Sequence, residues 1–392
     1  MKISYLNLFL KFLRFGFLAW GGPFAQIAMI RQELVEEEKW ITPERFNRVL
    51  AVYQALPGPE AHELCVYFGM IARGRIGAFL AGLGFMLPGF LLMFALSWFY
   101  VTYGITSQLF QSIFLGMQPA VAALIIRAIH RIGSHALHKN KWLWSIAILA
   151  FIAQLLDVNF LITLLISGFI FTFAQRGQNR FAFTLILVSV FISIYVLLNI
   201  SPTSQTILDS QFTSTNSPNL LILLFSGLRA GLLTFGGAYT AIPFIQHDAV
   251  EIGRWMTNAQ FLDGLALSGL LPAPLIIFST FVGYIGGGAL GAIAMTIGVF
   301  APAFSFTMIG HDYLEKLVEN KSAHAFLDGI TAGVVGLISA TAIYILIETI
   351  TSIPALIIFS LALIVLFASK SKWAVAWVVL GAGLIGLFIN LI

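Results

Sequence analysis

Apolar runs able to cross about 30 Å of hydrocarbon recur along the whole of this chain. Inside a bilayer every backbone N–H and C=O must be satisfied by the spanning structure itself, so only helices and closed barrels qualify. The runs are continuously apolar and do not alternate with period two, which argues against lipid-facing barrel strands. The expected fold is therefore all-α, a polytopic integral membrane protein. About thirteen hydrophobic segments can be marked, at 5–30, 47–72, 76–103, 109–130, 142–156, 160–174, 181–199, 220–245, 262–286, 290–310, 326–348, 354–369 and 373–392. With 59% hydrophobic and 10% charged residues, and a mean hydropathy of +0.93, the composition lies far outside the soluble range.

The net charge of +4 is spread over short loops, so it reports membrane orientation, and nucleic acid is not an expected partner. Cys65, the single cysteine, lies within an apolar run and reads as a small buried hydrophobe. The first segment carries Lys11 and Arg14 and lacks a small-residue cleavage site, so it is expected to stay in the mature protein. His130, His135 and His138 do not share one helical face, and no metal site or cofactor is expected. Phosphate-loop, zinc-protease and serine-elbow motifs are absent; neither enzymatic activity nor direct ATP-driven pumping is expected.

The chain repeats itself. An offset of 215 residues lays Leu13, Arg14, Gly16, Gly21 and Gly22 on Leu228, Arg229, Gly231, Gly236 and Gly237. Trp40, Thr42 and Phe46 then fall on Trp255, Thr257 and Phe261, and Pro57 and Pro59 fall on Pro272 and Pro274. After a one-residue slip, Gly77, Gly84, Pro88 and Phe90 meet Gly291, Gly298, Pro302 and Phe304. Apolar composition alone would not align these residue types in register. The expected organisation is a first repeat over 1–180, an inverting helix and polar external loop over 181–219, and a second repeat over 220–392.

An extra crossing between two equal halves turns the second one over, and the distribution of basic residues tests this. Arg73, Gly74 and Arg75 correspond to Gly287, Gly288 and Ala289, so the positive charges vanish in the second copy. Arg127, Arg131, Lys139 and Lys141, with Arg176 and Arg180, mark cytoplasmic loops, whereas 104–108 and 200–219 hold no Lys or Arg. Lys316, Lys321, Lys370 and Lys372 return where the inverted half faces inward. The N-terminus is expected inside and the C-terminus outside. The loop "RQELVEEEKWITPERFNR" is basic yet would be external if both flanking segments crossed fully. Re-entrant hairpins would return it inside, and both schemes leave the termini unchanged.

Paired, Gly/Pro-interrupted segments in inverted repeats point to a secondary transporter with its site where the broken helices meet. The interruptions are Gly21-Gly22-Pro23 with Gly236-Gly237, and Pro57-Gly58-Pro59 with Pro272-Ala273-Pro274. A helix restarting after such a break offers free N–H groups and partial positive charge to an anion. Arg14 and Arg229 would add forked donors matched to a tetrahedral oxyanion. Kinks and close packing are the structural alternative for the glycines and prolines, and interfacial snorkelling is the alternative for the arginines. Glu60 and Glu63 follow the first Pro-Gly-Pro, where the second half has Leu275 and Phe278. These acids are candidates for carrying a coupling proton or for pairing with Arg14, and His62 beside them is a further coupling candidate, or is simply hydrogen-bonded.

The runs "FGFLAWGGPFAQIAMI" and "ALPGPEAHELCVYFGMIARGRIGAFLAGLGFMLPGF", with "AGLLTFGGAYTAIPFIQ" and "LPAPLIIFSTFVGYIGGGALGA", resemble the two halves of the long-chain chromate transporter (CHR) family over nearly the whole chain. The resemblance implies chromate export across the cell inner (cytoplasmic) membrane, conferring chromate resistance, with sulfate as the physiological look-alike; it leaves open a homodimer. The family's FGGP motif falls on Trp20 to Pro23, with Trp in place of Phe, and its PGP motif on Pro57 to Pro59. In the second half Ala238 stands at the Pro position and Ala273 at the central Gly. A transporter for sulfate or another small anion is the alternative function.

Overall fold

A computed structural model describes residues 3–104, 107–137, 140–156, 158–199, 218–235, 237–369, 371 and 373–391. These form fifteen α-helices and, among the described residues, no strand, as an all-α polytopic membrane protein requires. Gly236, the linker residues 200–217, His138, Lys139, Lys370 and Lys372 lie outside the described residues.

The first helices are short. α1 (Tyr5–Phe17) begins on the Ser4 side chain, which accepts the Asn7 N–H at 3.1 Å. Its 13 residues reach only about 20 Å, too little to cross hydrocarbon. After a break at 18–22, α2 (Pro23–Ile30) starts on proline, whose fixed φ suits a first helical position, and continues as a π-helical stretch, Arg31–Glu37. That stretch returns beside α1: Lys11 and Arg14 both pair with Glu33. Segment 5–30 is therefore a hairpin rather than one long helix. α3 (Pro43–Ala55) is capped by Thr42 and leads into Pro57-Gly58-Pro59. α4 (Glu60–Phe99) then runs back along it, with Arg45 Nε donating to the Tyr67 hydroxyl at 3.0 Å and Phe46 stacked on Phe68.

α4 itself folds over at Arg73 and Gly74, the latter at φ 63°. Gly69 meets the carbonyl of Gly77, and His62 approaches Phe85, contacts that a straight helix would hold about two and about six turns apart. Only the second arm, 75–99, is long enough to span. α5 (Gln108–Ala136), α6 (Lys141–Leu155), α7 (Phe160–Gln175) and α8 (Asn179–Asn199) complete the first part of the chain.

The second part reuses this plan. α9 (Leu220–Leu232) matches α1; a 3-10 turn (Ala238–Ala241), α10 (Ile242–Gln246) and a π-helical stretch (His247–Ile252) match the α2 arm. α11 (Asn258–Gly269) matches α3, again behind a threonine cap, Thr257. A second 3-10 turn (Leu275–Ile277) precedes α12 (Phe278–Glu319), which folds over at Gly287 and Gly288. The fold-over dihedrals repeat: φ −148°, ψ 25° at Arg73 and φ −149°, ψ 25° at Gly287, then positive φ of 63° and 59° at Gly74 and Gly288. Among the described residues, the two non-glycine residues with positive φ are Lys39 (54°) and Arg254 (48°), again 215 apart, and such residues are uncommon. α13 (Lys321–Thr349), α14 (Ile353–Ala368) and α15 (Ala374–Leu391) close the chain.

The helices sort into two compact units, Met1–Arg127 with Pro218–Glu315 and Leu346–Ile392, and Ala128–Ser217 with Lys316–Ile345. The first contains every broken helix and draws on both repeats. Its core is aromatic, including the fully buried Phe12, Phe15, Phe46, Phe244, Phe261 and Phe281. The smaller unit packs α7 against α13 through Gly168, Gly329 and Gly333, where the small residues let the backbones approach.

Candidate functional site

The interruptions lie at the tips of the hairpins. Gly21 and Gly22 hold φ of 91° and 78°, and Gly237 holds 118°, a region that glycine enters without steric cost. Each break thus reverses the chain and frees the first N–H groups of the next helical segment. Pro57, Gly58 and Pro59 are buried, as are Pro272 and Pro274. The tips from the two repeats meet: Gly58 N donates to the Thr234 carbonyl at 2.8 Å, two residues before the second glycine pair. Ala273, at the centre of the second Pro-X-Pro, packs directly on Gly89, which has no room for a side chain there. His62, wholly buried, stands edge-on to Phe304 and Phe300, with ring centroids at 4.7 and 4.9 Å. Pro23 begins α2 beside Trp20, whose ring lies 4.4 Å from that of Trp373.

Both arginines occupy the last turn of the helix that enters a tip, Arg14 in α1 and Arg229 in α9. Each is ion-paired. Arg14 binds Glu33 through a guanidinium nitrogen, and Arg229 binds Asp248. Those acids are themselves 215 residues apart, so the whole ion pair is duplicated. Arg14 therefore finds its partner in Glu33. The acids of the α2 and α10 arms were legible at the repeat offset, but Glu33 lies in an acidic run that reads as solvated loop. Nearby, burial pushes the Glu38 carboxyl up, while hydrogen bonds from Lys11 and Trp40 outweigh that and hold it below the ordinary carboxylate value.

Glu60 and Glu63 occupy the first turn of α4 and are buried. Glu63 is wholly inaccessible, and neither of its oxygens has a hydrogen-bond partner among the described residues. Its carboxylate lies over Gly58, so that a methyl group on Gly58 would sit 2.7 Å from Oε1. A second buried polar cluster went unread in the sequence. Asp263 of α11 accepts from the Tyr100 hydroxyl at 2.7 Å and from Gln118 Nε2 at 3.0 Å, joining the second repeat to the first. Its counterpart at the repeat offset is Arg48, so no duplicated signal marked it.

Comparison with known proteins respects the same division of the chain. The chromate transporter family profile matches residues 6–173 and again residues 221–387. A chromate transport protein of Pseudomonas aeruginosa is 54% identical over 98% of this chain and 92% of its own length. A chromate transport protein of Cupriavidus metallidurans is 28% identical over 97% and 92%. An uncharacterized transporter of Bacillus subtilis, 33% identical, covers 40% of this chain with 80% of its own length, the proportions of a single repeat. No solved structure matches the chain. Two matches to the one profile, each enclosing one set of glycine- and proline-broken hairpins and one arginine–carboxylate pair, place this multi-pass membrane protein in the chromate transporter family.

Proposed function

We propose that the protein is a secondary transporter that exports chromate across the cytoplasmic membrane and so confers chromate resistance, with sulfate as a competing dianion. The observation that carries this reading is the meeting of broken-helix tips from the two repeats, fixed by the Gly58 to Thr234 bond. The substrate region comprises Gly21, Gly22, Pro23, Pro57, Gly58 and Pro59, with Gly236, Gly237, Pro272 and Pro274 from the second repeat. Arg14 and Arg229 supply its positive charge. The names of the relatives support the substrate.

The repeats insert with opposite orientation, the N-terminus cytoplasmic and the C-terminus external. The hairpins support this, because they return the basic loop 31–48 to the side on which α1 begins, together with Arg73 and Arg75. A cysteine placed by Glu37→Cys should resist labelling from outside the cell; external labelling rejects the re-entrant hairpin placement of this loop.

With the cytoplasm negative, a dianion moving outward across 100 mV gains roughly 4.6 kcal/mol, enough to drive efflux without coupling. Glu63, Glu60 and His62 are the candidates for proton coupling. For Glu63, whose oxygens have no hydrogen-bond partner among the described residues, burial in the ionised form is costly, and taking up a proton removes the cost. The decisive experiment is chromate flux in proteoliposomes under an imposed potential. Flux should follow the potential and be competed by sulfate, whereas the absence of any oxyanion flux rejects the proposal.

A further inference from the structure

The duplicated arginine–carboxylate pairs differ in what else holds the acid. Glu33 pairs with Arg14 and also with Lys11 Nζ at 3.2 Å. Lys11 pairs in turn with Glu38, which accepts the Trp40 indole N–H at 2.8 Å. At the same offset the second repeat has Ser226 for Lys11 and Gly253 for Glu38. Asp248 accordingly pairs with Arg229 and accepts from the Ser226 hydroxyl at 2.8 Å. Accessibility differs in the same sense, with the arginine side chains 54% (Arg14) and 33% (Arg229) exposed and their acids 22% (Glu33) and 9% (Asp248).

These differences set the cost of opening each pair. If Arg14 leaves Glu33, the carboxylate still faces an ammonium group. If Arg229 leaves Asp248, a buried carboxylate keeps a neutral hydroxyl, and breaking a buried pair this way is strongly unfavourable.

We infer that Arg14 is an exchangeable anion ligand, which passes from Glu33 to the transported dianion while Lys11 holds Glu33, and that Arg229–Asp248 is a fixed strut. The inference rests on the reading that the arginines serve the anion, Arg14 as a ligand that changes partner and Arg229 as a positive charge that Asp248 holds in place. Glu33 then acts as an internal competitor of the substrate, and Lys11 as the residue that restrains the competitor. Both are positioning residues, and they act in opposite senses on apparent affinity.

The test is the apparent KM for chromate in proteoliposomes, normalised to folded protein. Glu33→Gln removes the competitor and should lower KM about fivefold, the worth of a partly exposed ion pair. Lys11→Ala releases Glu33 onto Arg14 and should raise KM by a similar factor. The double variant should behave as Glu33→Gln, because Lys11 then has no competitor to restrain. Asp248→Asn should reduce thermal stability and maximal flux without moving KM. A merely structural cluster would lower the amount of folded transporter in every variant and leave KM unmoved. Unmoved KM, or shifts of the same sign in Glu33→Gln and Lys11→Ala, overturns the exchange; a lowered KM in Asp248→Asn overturns the strut. Arg14→Ala separates the exchange from the binding role beneath it. Undiminished flux in that variant rejects arginine-assisted binding itself, whereas lost flux with unmoved KM in the Lys11 and Glu33 variants rejects only the exchange.

Discussion

The two repeats share a backbone plan but restart their broken helices differently. In the first, α2 starts directly on Pro23 and α4 on Glu60, so regular α-helical N–H groups face the tip. In the second, 3-10 turns at Ala238–Ala241 and Leu275–Ile277 intervene, and their tighter winding gives poorer hydrogen-bond geometry. Ala238 stands where Pro23 pre-sets the first helical φ. The first repeat also holds the ionisable residues Glu60, His62 and Glu63, while the second has Leu275, Ile277 and Phe278 there. Duplication thus preserved the scaffold and let the chemistry drift to one side. On the proposed function, a transported ion meets an ionisable tip in the first repeat and an apolar one in the second.

The largest expected effect tests the shared scaffold. A side chain at Gly69 would strike the Gly77 carbonyl and come within 2.6 Å of the Ala81 Cβ. At Gly283 the Gly291 carbonyl and the Met295 Cβ, the latter at 2.8 Å, stand in the same places. Gly69→Val and Gly283→Val should each cost about 3 kcal/mol, seen as matched falls in the thermal unfolding temperature of the detergent-solubilised protein. If one repeat tolerates the change, the two fold-overs are not equivalent in energy.

Next comes the contrast between tips. Gly58 sits at φ 151° with the Glu63 carboxylate against it. Gly58→Ala should destabilise the tip by about 2 kcal/mol and depress chromate flux. The reverse substitution in the second repeat, Ala273→Gly, removes a methyl from contact with Gly89 and should leave flux within about twofold, since small changes of contact are worth well under 1 kcal/mol. Equal losses from both would break the asymmetry.

How far these features were legible depended on whether residue type reports geometry. The duplication was legible because glycine, proline, tryptophan and arginine recur at one offset, and Arg73 and Arg75 marked a boundary inside an apolar run. Whether 5–30 crosses or doubles back was not, because Gly-Gly-Pro serves a kink and a reversal equally well. Long-range pairing of Lys11 and Arg14 with Glu33 decides it, and no local pattern encodes that pairing. The left-handed backbone at Lys39 and Arg254 was equally silent, since neither residue type favours it. Asp263 carries no local signal of its role, because Tyr100 and Gln118 reach it from far along the chain.

A smaller effect separates the carboxylates of the first tip from the apolar residues of the second. Glu63→Gln keeps shape but carries no exchangeable proton. Chromate flux driven by potential should persist in this variant, while the response to an imposed pH gradient falls about tenfold, equivalent to roughly 1.4 kcal/mol. Phe278→Leu should leave that response intact. A pH response unchanged in Glu63→Gln would remove Glu63 from the coupling scheme.

The smallest effect concerns Glu38, which Gly253 replaces in the second repeat. Its carboxyl is held below the ordinary value by Lys11 and Trp40, so the folded protein prefers it ionised. A group with a lowered folded value contributes stability that is complete above its unfolded value, here the ordinary 4.5, and is lost as pH falls through the folded one. Hydrogen exchange of the backbone around Trp40 should therefore accelerate below about pH 4.5, by less than the several-fold change expected from a fully buried pair, because Glu38 is partly exposed. Glu38→Gln should show the faster exchange already at neutral pH and respond less to acid. Exchange that accelerates identically with acid in both proteins would assign the loosening to other groups, leaving the Lys11–Glu38–Trp40 cluster without a part in the difference between the repeats.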